Sequence, residues 1–238
     1  MERDGRRVRG RRLRPRLPGH LARPAARRRL GHPPGSATPA RSAGDQPAVT
    51  QQPSQEALKT AALAAAGRGW RVFPLRPGST APAVRDWQAR ATDDPERITR
   101  CWDSGPFNIG LVPCISGLLV LDLAPALPGD QLPLNLRMSG VTDGADVLAV
   151  LLDAHGERLP FDSYTLATPG GGQQMYFAHP DGACVGRREL AWHVDVRCAG
   201  YLPAAGSVVR GGAYRVLYDA EPLPAPGWLT AGQLHRVR

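Results

Sequence analysis

The sequence predicts an α+β domain, a mixed or antiparallel central sheet with flanking helices. Three observations carry that reading. Short apolar runs of strand character outnumber segments of helical period. Several of these runs are joined by short turns containing Gly or Pro. A regular strand–helix–strand alternation is missing, which argues against a doubly wound parallel sheet. The most apolar run, residues 117–124, reads as a buried strand presenting one carboxylate, Asp122. Strand side chains alternate with period two, so the next position on the face of Asp122 is Ala124.

The elements follow in order. Residues 54–66 are Ala-rich with Leu58 and Leu63 on one side, a helix that stops near Gly67 or Gly69. Residues 70–75 read as a strand and 76–82 as a Pro- and Gly-containing loop. Asp94 and Pro95 have the chemistry of a helix cap and first helical position, and Ile98, Cys101 and Trp102 fall on one face of that helix. Residues 108–112 form a short strand, expected to pair as a hairpin with the apolar run that follows. Residues 125–139 read as a loop. Asp143 caps a helix reaching His155, with Val147, Leu148, Leu151 and Leu152 as its core face and Gly156 as its stop. Residues 163–168 and 173–178 are strands joined by the turn Pro169-Gly170-Gly171-Gly172, with Gln174 and Tyr176 on one face of the second. Residues 193–197 form a strand with Asp195 and Arg197 on one face, and residues 213–218 form the last.

Charge divides the chain. The 238 residues carry a formal net charge of +9, but residues 1–41 hold 13 of the 30 basic residues and only Glu2 and Asp4 among the acids. The remainder is slightly acidic, so the high total does not make the body a basic nucleic-acid-binding domain. Residues 1–50 are rich in Arg, Pro, Gly and Ala and read as a disordered tail. Residues 54–230 form the domain and 231–238 a short C-terminal tail. All basic residues but Lys59 are Arg, which together with the Ala, Gly and Pro excess points to a GC-rich genome. No run approaches the roughly 18 apolar residues of a membrane helix, and no secretory segment follows the arginines. The four cysteines form no CxxC pair; Cys184, His193 and Cys198 are a weak ligand set, and reduced structural thiols in a cytoplasm are the simpler reading.

Asp122, the glycine turn and Asp195 are the stretches whose chemistry could converge. Two separated carboxylates beside a glycine turn suit a magnesium-bound nucleotide, because Mg²⁺ takes carboxylate and phosphate oxygens together. The glycines would let backbone N–H groups approach phosphates. The phosphate loop G-x-x-x-x-G-K-[ST] does not occur.

Residues 56–230 resemble the bifunctional DNA primase/polymerase (prim-pol) domain of the archaeo-eukaryotic primase superfamily, in an actinobacterial form. The matching stretches are 66–78, 91–98, 108–111, 117–123, 143–151, Thr168-Pro169-Gly170-Gly171-Gly172, Tyr176-Phe177 and Val194-Asp195-Val196-Arg197. The resemblance implies a strand ending in Asp-x-Asp and a third acid from a later strand, together holding two Mg²⁺ or Mn²⁺ ions for nucleotidyl transfer. It also implies a His after the glycine turn that contacts the nucleotide's phosphates. Asp122 and Asp195 take the first and third acidic positions, as catalytic and metal-holding residues. Gly171, Gly172, Gln174, Tyr176 and Arg197 take the nucleotide-binding ones.

The departures fall on the chemistry. Ala124 stands at the second acid, Gln174 at the His, Thr80 at a frequent Lys and Gly170 at a usual Ser. Alanine cannot ligate a metal, and an amide carries no charge. Asp130 was weighed as a substitute acid, and Asp143 and Asp146 read instead as a cap and a first-turn acid. The leading expectation is a cytoplasmic prim-pol-like protein that binds nucleotides and single-stranded template DNA but has impaired or lost transfer. The alternatives are an active template-dependent nucleotidyltransferase and a decayed product without function. The sequence shows no fused helicase, so a helicase or replication partner is expected in trans.

Overall fold

The computed structural model describes residues 52–137, 140–179, 184 and 186–231. The expected N-terminal tail lies outside the described residues. The helical segments in chain order are α1 (Gln55–Gly67), α2 (Trp87–Arg90), α3 (Pro95–Trp102), α4 (Gly144–His155) and α5 (Gly227–Ala231). The strands are β1 (Val72–Leu75), β2 (Asn108–Leu111), β3 (Leu118–Leu123), β4 (Thr165–Ala167), β5 (Gln173–Ala178) and β6 (Arg187–Ala191). They continue with β7 (Val194–Arg197), β8 (Leu202–Pro203), β9 (Val208–Val209), β10 (Gly212–Ala213), β11 (Arg215–Tyr218) and β12 (Leu223–Pro224).

The helix starts carry the caps their sequences promise. The Ser54 hydroxyl accepts from the Ala57 N–H at 3.1 Å. The Asp94 carboxylate accepts from Glu96 and Arg97, and that of Asp143 from Ala145 and Asp146. Each satisfies N–H groups that a helix start leaves without intrahelical partners.

A seven-stranded sheet runs β11-β4-β5-β3-β7-β6, with β12 added beside β5. Its pairings are antiparallel except β12 with β5, so the sheet is mixed, and the α+β class holds. A second sheet, β1-β2-β8, is separate.

The expected hairpin between the strands at 108–112 and 118–123 does not form. β2 pairs with β1 and β8, whereas β3 pairs with β5 and β7. The turn Cys114–Ser116, closed by Gly117 at φ +64°, carries the chain from one sheet to the other. The physical reason lies in β3, whose residues are buried throughout apart from the partly buried Asp122. A strand apolar on both faces needs a packed layer on each side, which a two-stranded hairpin lacks.

β3 divides the interior into two cores. Leu118 and Val120 face α1, α3 and the small sheet, together with Trp70, Tyr164, Leu166 and Tyr176. Leu119, Leu121 and Leu123 face α4 and α5 with Met175, Phe177, Val194 and Val196. Val147, Leu148, Leu151 and Leu152 are the buried face of α4, as their spacing predicts.

The N-terminus of α4 locks the far end of β3. The Ala124 N–H donates to His193 O at 2.9 Å, and the Gly144 N–H donates to Ala124 O at 3.0 Å. A Cβ at Gly144 would lie 2.2 Å from His193 O and 3.0 Å from Ala124 O. Both are backbone atoms and cannot swing aside. Gly144→Ala is therefore expected to cost at least about 2 kcal/mol of stability. Gly67→Ala, with nothing within 4 Å of the added Cβ, should be neutral or stabilising by up to about 1 kcal/mol. Denaturant midpoints of the two variants check the contrast.

Candidate functional site

Strand register alone brings the predicted residues together. Asp122 lies directly opposite Gln174 on β5 and directly opposite Asp195 on β7. Directly paired antiparallel residues have Cβ atoms about 5 Å apart and share a face of the sheet. The same row continues to Leu166 on β4 and Glu189 on β6. One row over, Val120 is opposite both Tyr176 and Arg197, and Arg197 is opposite Arg187.

The two rows interlock by charge. The Arg197 Nη1 donates to Asp122 Oδ2 at 2.9 Å. Arg187 donates to Asp195 Oδ2 from Nη2 at 2.7 Å and from Nε at 3.2 Å. Asp122 and Asp195 are largely buried, at 20% and 18% side-chain exposure, so solvent screens them less than surface carboxylates. At about 5 Å and an effective dielectric of about 20, two carboxylates repel by about 3 kcal/mol. Two guanidiniums on diagonal positions offset that repulsion.

Asp195 Oδ1 is buried and has no hydrogen-bond partner among the described residues. This oxygen is the observation that bears on a metal. The family resemblance implies two divalent ions. Asp122, Asp195 and the orphaned Oδ1 make a donor set for one ion at most, and the Ala124 side chain offers no oxygen. No group of three His, Cys, Asp or Glu with metal-holding geometry occurs among the described residues.

The other predicted residues fall as follows. Gln174 is buried and accepts from the Tyr176 hydroxyl at 3.1 Å. Tyr176, expected at the nucleotide, is closed into the core against Trp70 and Tyr164, with ring centroids 5.8 and 5.4 Å away. Burial first, then the neighbouring Tyr164 and Asp122, hold its hydroxyl well above the ordinary tyrosine range. The glycine turn meets a tight packing demand. The Gly171 N–H donates to Thr168 O within the turn, and a Cβ at Gly172 would lie 2.6 Å from Leu123 O. The described contacts thus give Gly171 and Gly172 a structural reason and turn the Gly171 N–H inward.

Asp143 and Asp146 serve as cap and turn residues, the latter accepting from the Thr142 N–H and hydroxyl. Asp130 is spent on His193, at 2.9 Å from its Nε2. His193 is therefore engaged away from Cys184 and Cys198, and the weak ligand set considered from sequence is not assembled.

A cleft of about 460 Å³ opens beside the carboxylates. Thr80, Trp87, Arg197, Tyr201 and Tyr214 line it. The Tyr201 hydroxyl donates to Thr80 O at 3.1 Å, and Asn108 holds the same loop by donating to Ser79 O at 3.1 Å. Burial, then the Asp122 carboxylate, raise the Tyr214 hydroxyl above its ordinary value. Sequence reasoning missed Arg187, Glu189, Trp87, Tyr201 and Tyr214 as site residues. For Arg187 and Glu189 the only signal is alternation with Arg188 and Leu190. The β6–β7 turn, Trp192-His193, has no Gly, Asn or Pro to announce a hairpin. His193 takes the left-handed conformation there, at φ +59°.

An antiparallel sheet that sets acids from two non-adjacent stretches of chain beside an Arg-lined cleft defines a DNA primase/polymerase-like protein when the family agrees, and it does. The chain belongs to the Prim-Pol family, bifunctional DNA primase/polymerase, N-terminal, whose family model matches residues 62–228. No curated protein matched the chain in sequence comparison. No helix among the described residues is long and apolar enough to cross a membrane.

Gln174 ties the site row to the aromatic core. Gln174→Met leaves the buried Tyr176 hydroxyl without its acceptor and is expected to cost about 1–3 kcal/mol. The double variant with Tyr176→Phe should recover part of that loss. A double-mutant cycle of unfolding free energies measures the coupling.

Proposed function

We propose that this protein is a nucleotide- and DNA-binding member of the Prim-Pol family whose nucleotidyl transfer is impaired or lost. One observation carries the reading. Asp122 and Asp195 stand side by side, each engaged by an arginine, while the position of the second acid is Ala124. Nucleotide binding is supported by the cleft next to that pair. Arg197 offers a guanidinium to phosphate oxygens, and Trp87, Tyr201 and Tyr214 offer rings on which a base can stack.

A divalent ion held by Asp122 and Asp195 would supply charge neutralisation at phosphate oxygens. Without an oxygen at position 124, the second ion of a two-ion mechanism has no side-chain ligand from this strand. The chain's own residues then bind and orient a nucleotide without completing the arrangement that transfer needs. The partners we infer are nucleotides, single-stranded template DNA and a helicase or replication protein in trans, in the cytoplasm.

A second reading rests on Glu189. It lies directly opposite Asp195, on the side away from Asp122, and is exposed. A carboxylate there could replace the missing acid and restore an active nucleotidyltransferase with Mg²⁺ or Mn²⁺.

Primer synthesis on a single-stranded template, with NTPs or dNTPs and either ion, separates the readings. We expect no product above an Asp122→Ala control, and gain of product on combining Ala124→Asp with Gln174→His. Robust synthesis abolished by both Asp122→Ala and Glu189→Gln would establish the second reading. Calorimetry is expected to show nucleoside triphosphate binding that weakens about tenfold or more in Arg197→Gln, the loss of one charge-assisted contact. Absence of both nucleotide and DNA binding would point to the decayed product.

A further inference from the structure

Three of the chain's four cysteines converge outside the carboxylate row, from distant points in the sequence. Cys114 opens the turn before β3, Cys184 precedes β6, and Cys198 follows β7. The Cys114 N–H donates to Cys198 O at 3.0 Å. The Cys198 N–H donates to Gly186 O at 3.2 Å, and its thiol approaches the same oxygen at 3.6 Å. Two residues before Gly186, the Cys184 side chain is hydrogen-bonded to the thiols of both Cys114 and Cys198. The fourth cysteine, Cys101, packs separately against the core of α1 and α3.

Cys184 is the common member of both thiol contacts. All three cysteines are unbridged, and they do not form a metal-holding group. Thiol–thiol contact without metal geometry leaves oxidation as the chemistry the cluster can perform. Cys198 is wholly buried, whereas Cys114 and Cys184 are partly exposed. Burial pushes the Cys198 thiol up to about 11 and raises that of Cys114 as well, so both stay protonated at neutral pH. The thiolate, not the thiol, is the nucleophile. The accessible pair is therefore Cys114 and Cys184.

We propose that Cys184 is an oxidation site that closes an intramolecular disulfide with Cys114 when the protein meets a peroxide. The Cys184 thiolate attacks one peroxide oxygen. The O–O bond breaks, hydroxide leaves, and Cys184 becomes a sulfenic acid. The Cys114 sulfur then attacks the Cys184 sulfur. The S–S bond forms, the S–O bond breaks, and water departs with the thiol proton. Two thiols and one hydrogen peroxide yield one disulfide and two waters, the thiols being oxidised and the peroxide reduced.

The position gives the bridge a consequence. Cys184 lies three residues before Arg187, which engages Asp195, and Cys114 lies four residues before β3, which carries Asp122. The disulfide joins the approaches to both carboxylate-bearing ladders.

Full-length protein, reduced and then exposed to a slight excess of hydrogen peroxide, is alkylated and digested without reductant for mass spectrometry. The expected result is a Cys114–Cys184 linked peptide, lost on dithiothreitol treatment, with Cys101 still alkylated. Cys184→Ser should abolish the linkage and Cys101→Ser should leave it intact. The wild-type map decides the matter even if Cys184→Ser folds poorly. A bridge that omits Cys184, a Cys184–Cys198 bridge, a bridge only between chains, or four alkylated thiols after peroxide would overturn the proposal. None of these outcomes depends on nucleotide binding or transfer.

Discussion

Two carboxylates held side by side on neighbouring strands are the constraint around which this structure is arranged. Asp122 and Asp195 are directly opposed in the β3–β7 ladder, and both are mostly withdrawn from water. Like charges so placed oppose strand pairing. The ladder tolerates them because Arg197 and Arg187 occupy the neighbouring row and reach across it diagonally. Removing either guanidinium would leave a carboxylate with less compensation than its burial demands.

β3 makes that arrangement possible by being buried on both faces. Its odd-numbered leucines enter the core under α4 and α5, while Leu118 and Val120 enter the core under α1 and α3. Asp122 comes where the second of these cores ends and the cleft begins. The scaffold thus needs little from the chemistry it carries. Two apolar cores, the capped helices and the Gly144 contact with His193 fix β3 whether or not position 124 carries an acid. That independence explains how a Prim-Pol fold can persist with an alanine where a ligand is expected.

The same economy applies around the row. Gln174 substitutes an amide for the expected imidazole, and the amide oxygen receives the Tyr176 hydroxyl. The glycine turn is held by its own N–H and by the close pass of Leu123. Residues that resemble ligand contacts in sequence are here also internal structure. The cleft beside Arg197 keeps the open space and the mixed cationic and aromatic lining that a nucleotide can use.

Much of this was legible in the chain itself. The caps at Ser54, Asp94 and Asp143, the face of α4, the buried strand 118–123 and the alternation that puts Gln174 and Tyr176 together all follow from local chemistry. So does the conspicuous Ala124, because period two fixes which residue shares a face with Asp122. Which strands become neighbours is a different kind of fact, since it depends on contacts between residues far apart in sequence. Short apolar strands do not say whom they pair with, so β2 and β3 looked like a hairpin and belong to different sheets. Arg187 and Glu189 stayed hidden because their strand is weakly patterned and its turn lacks the usual residues. The sequence by itself determined the elements, the family and the missing acid; only the tertiary structure decided that each remaining acid would be met by an arginine, because register across strands assigns such partners and no local pattern encodes it.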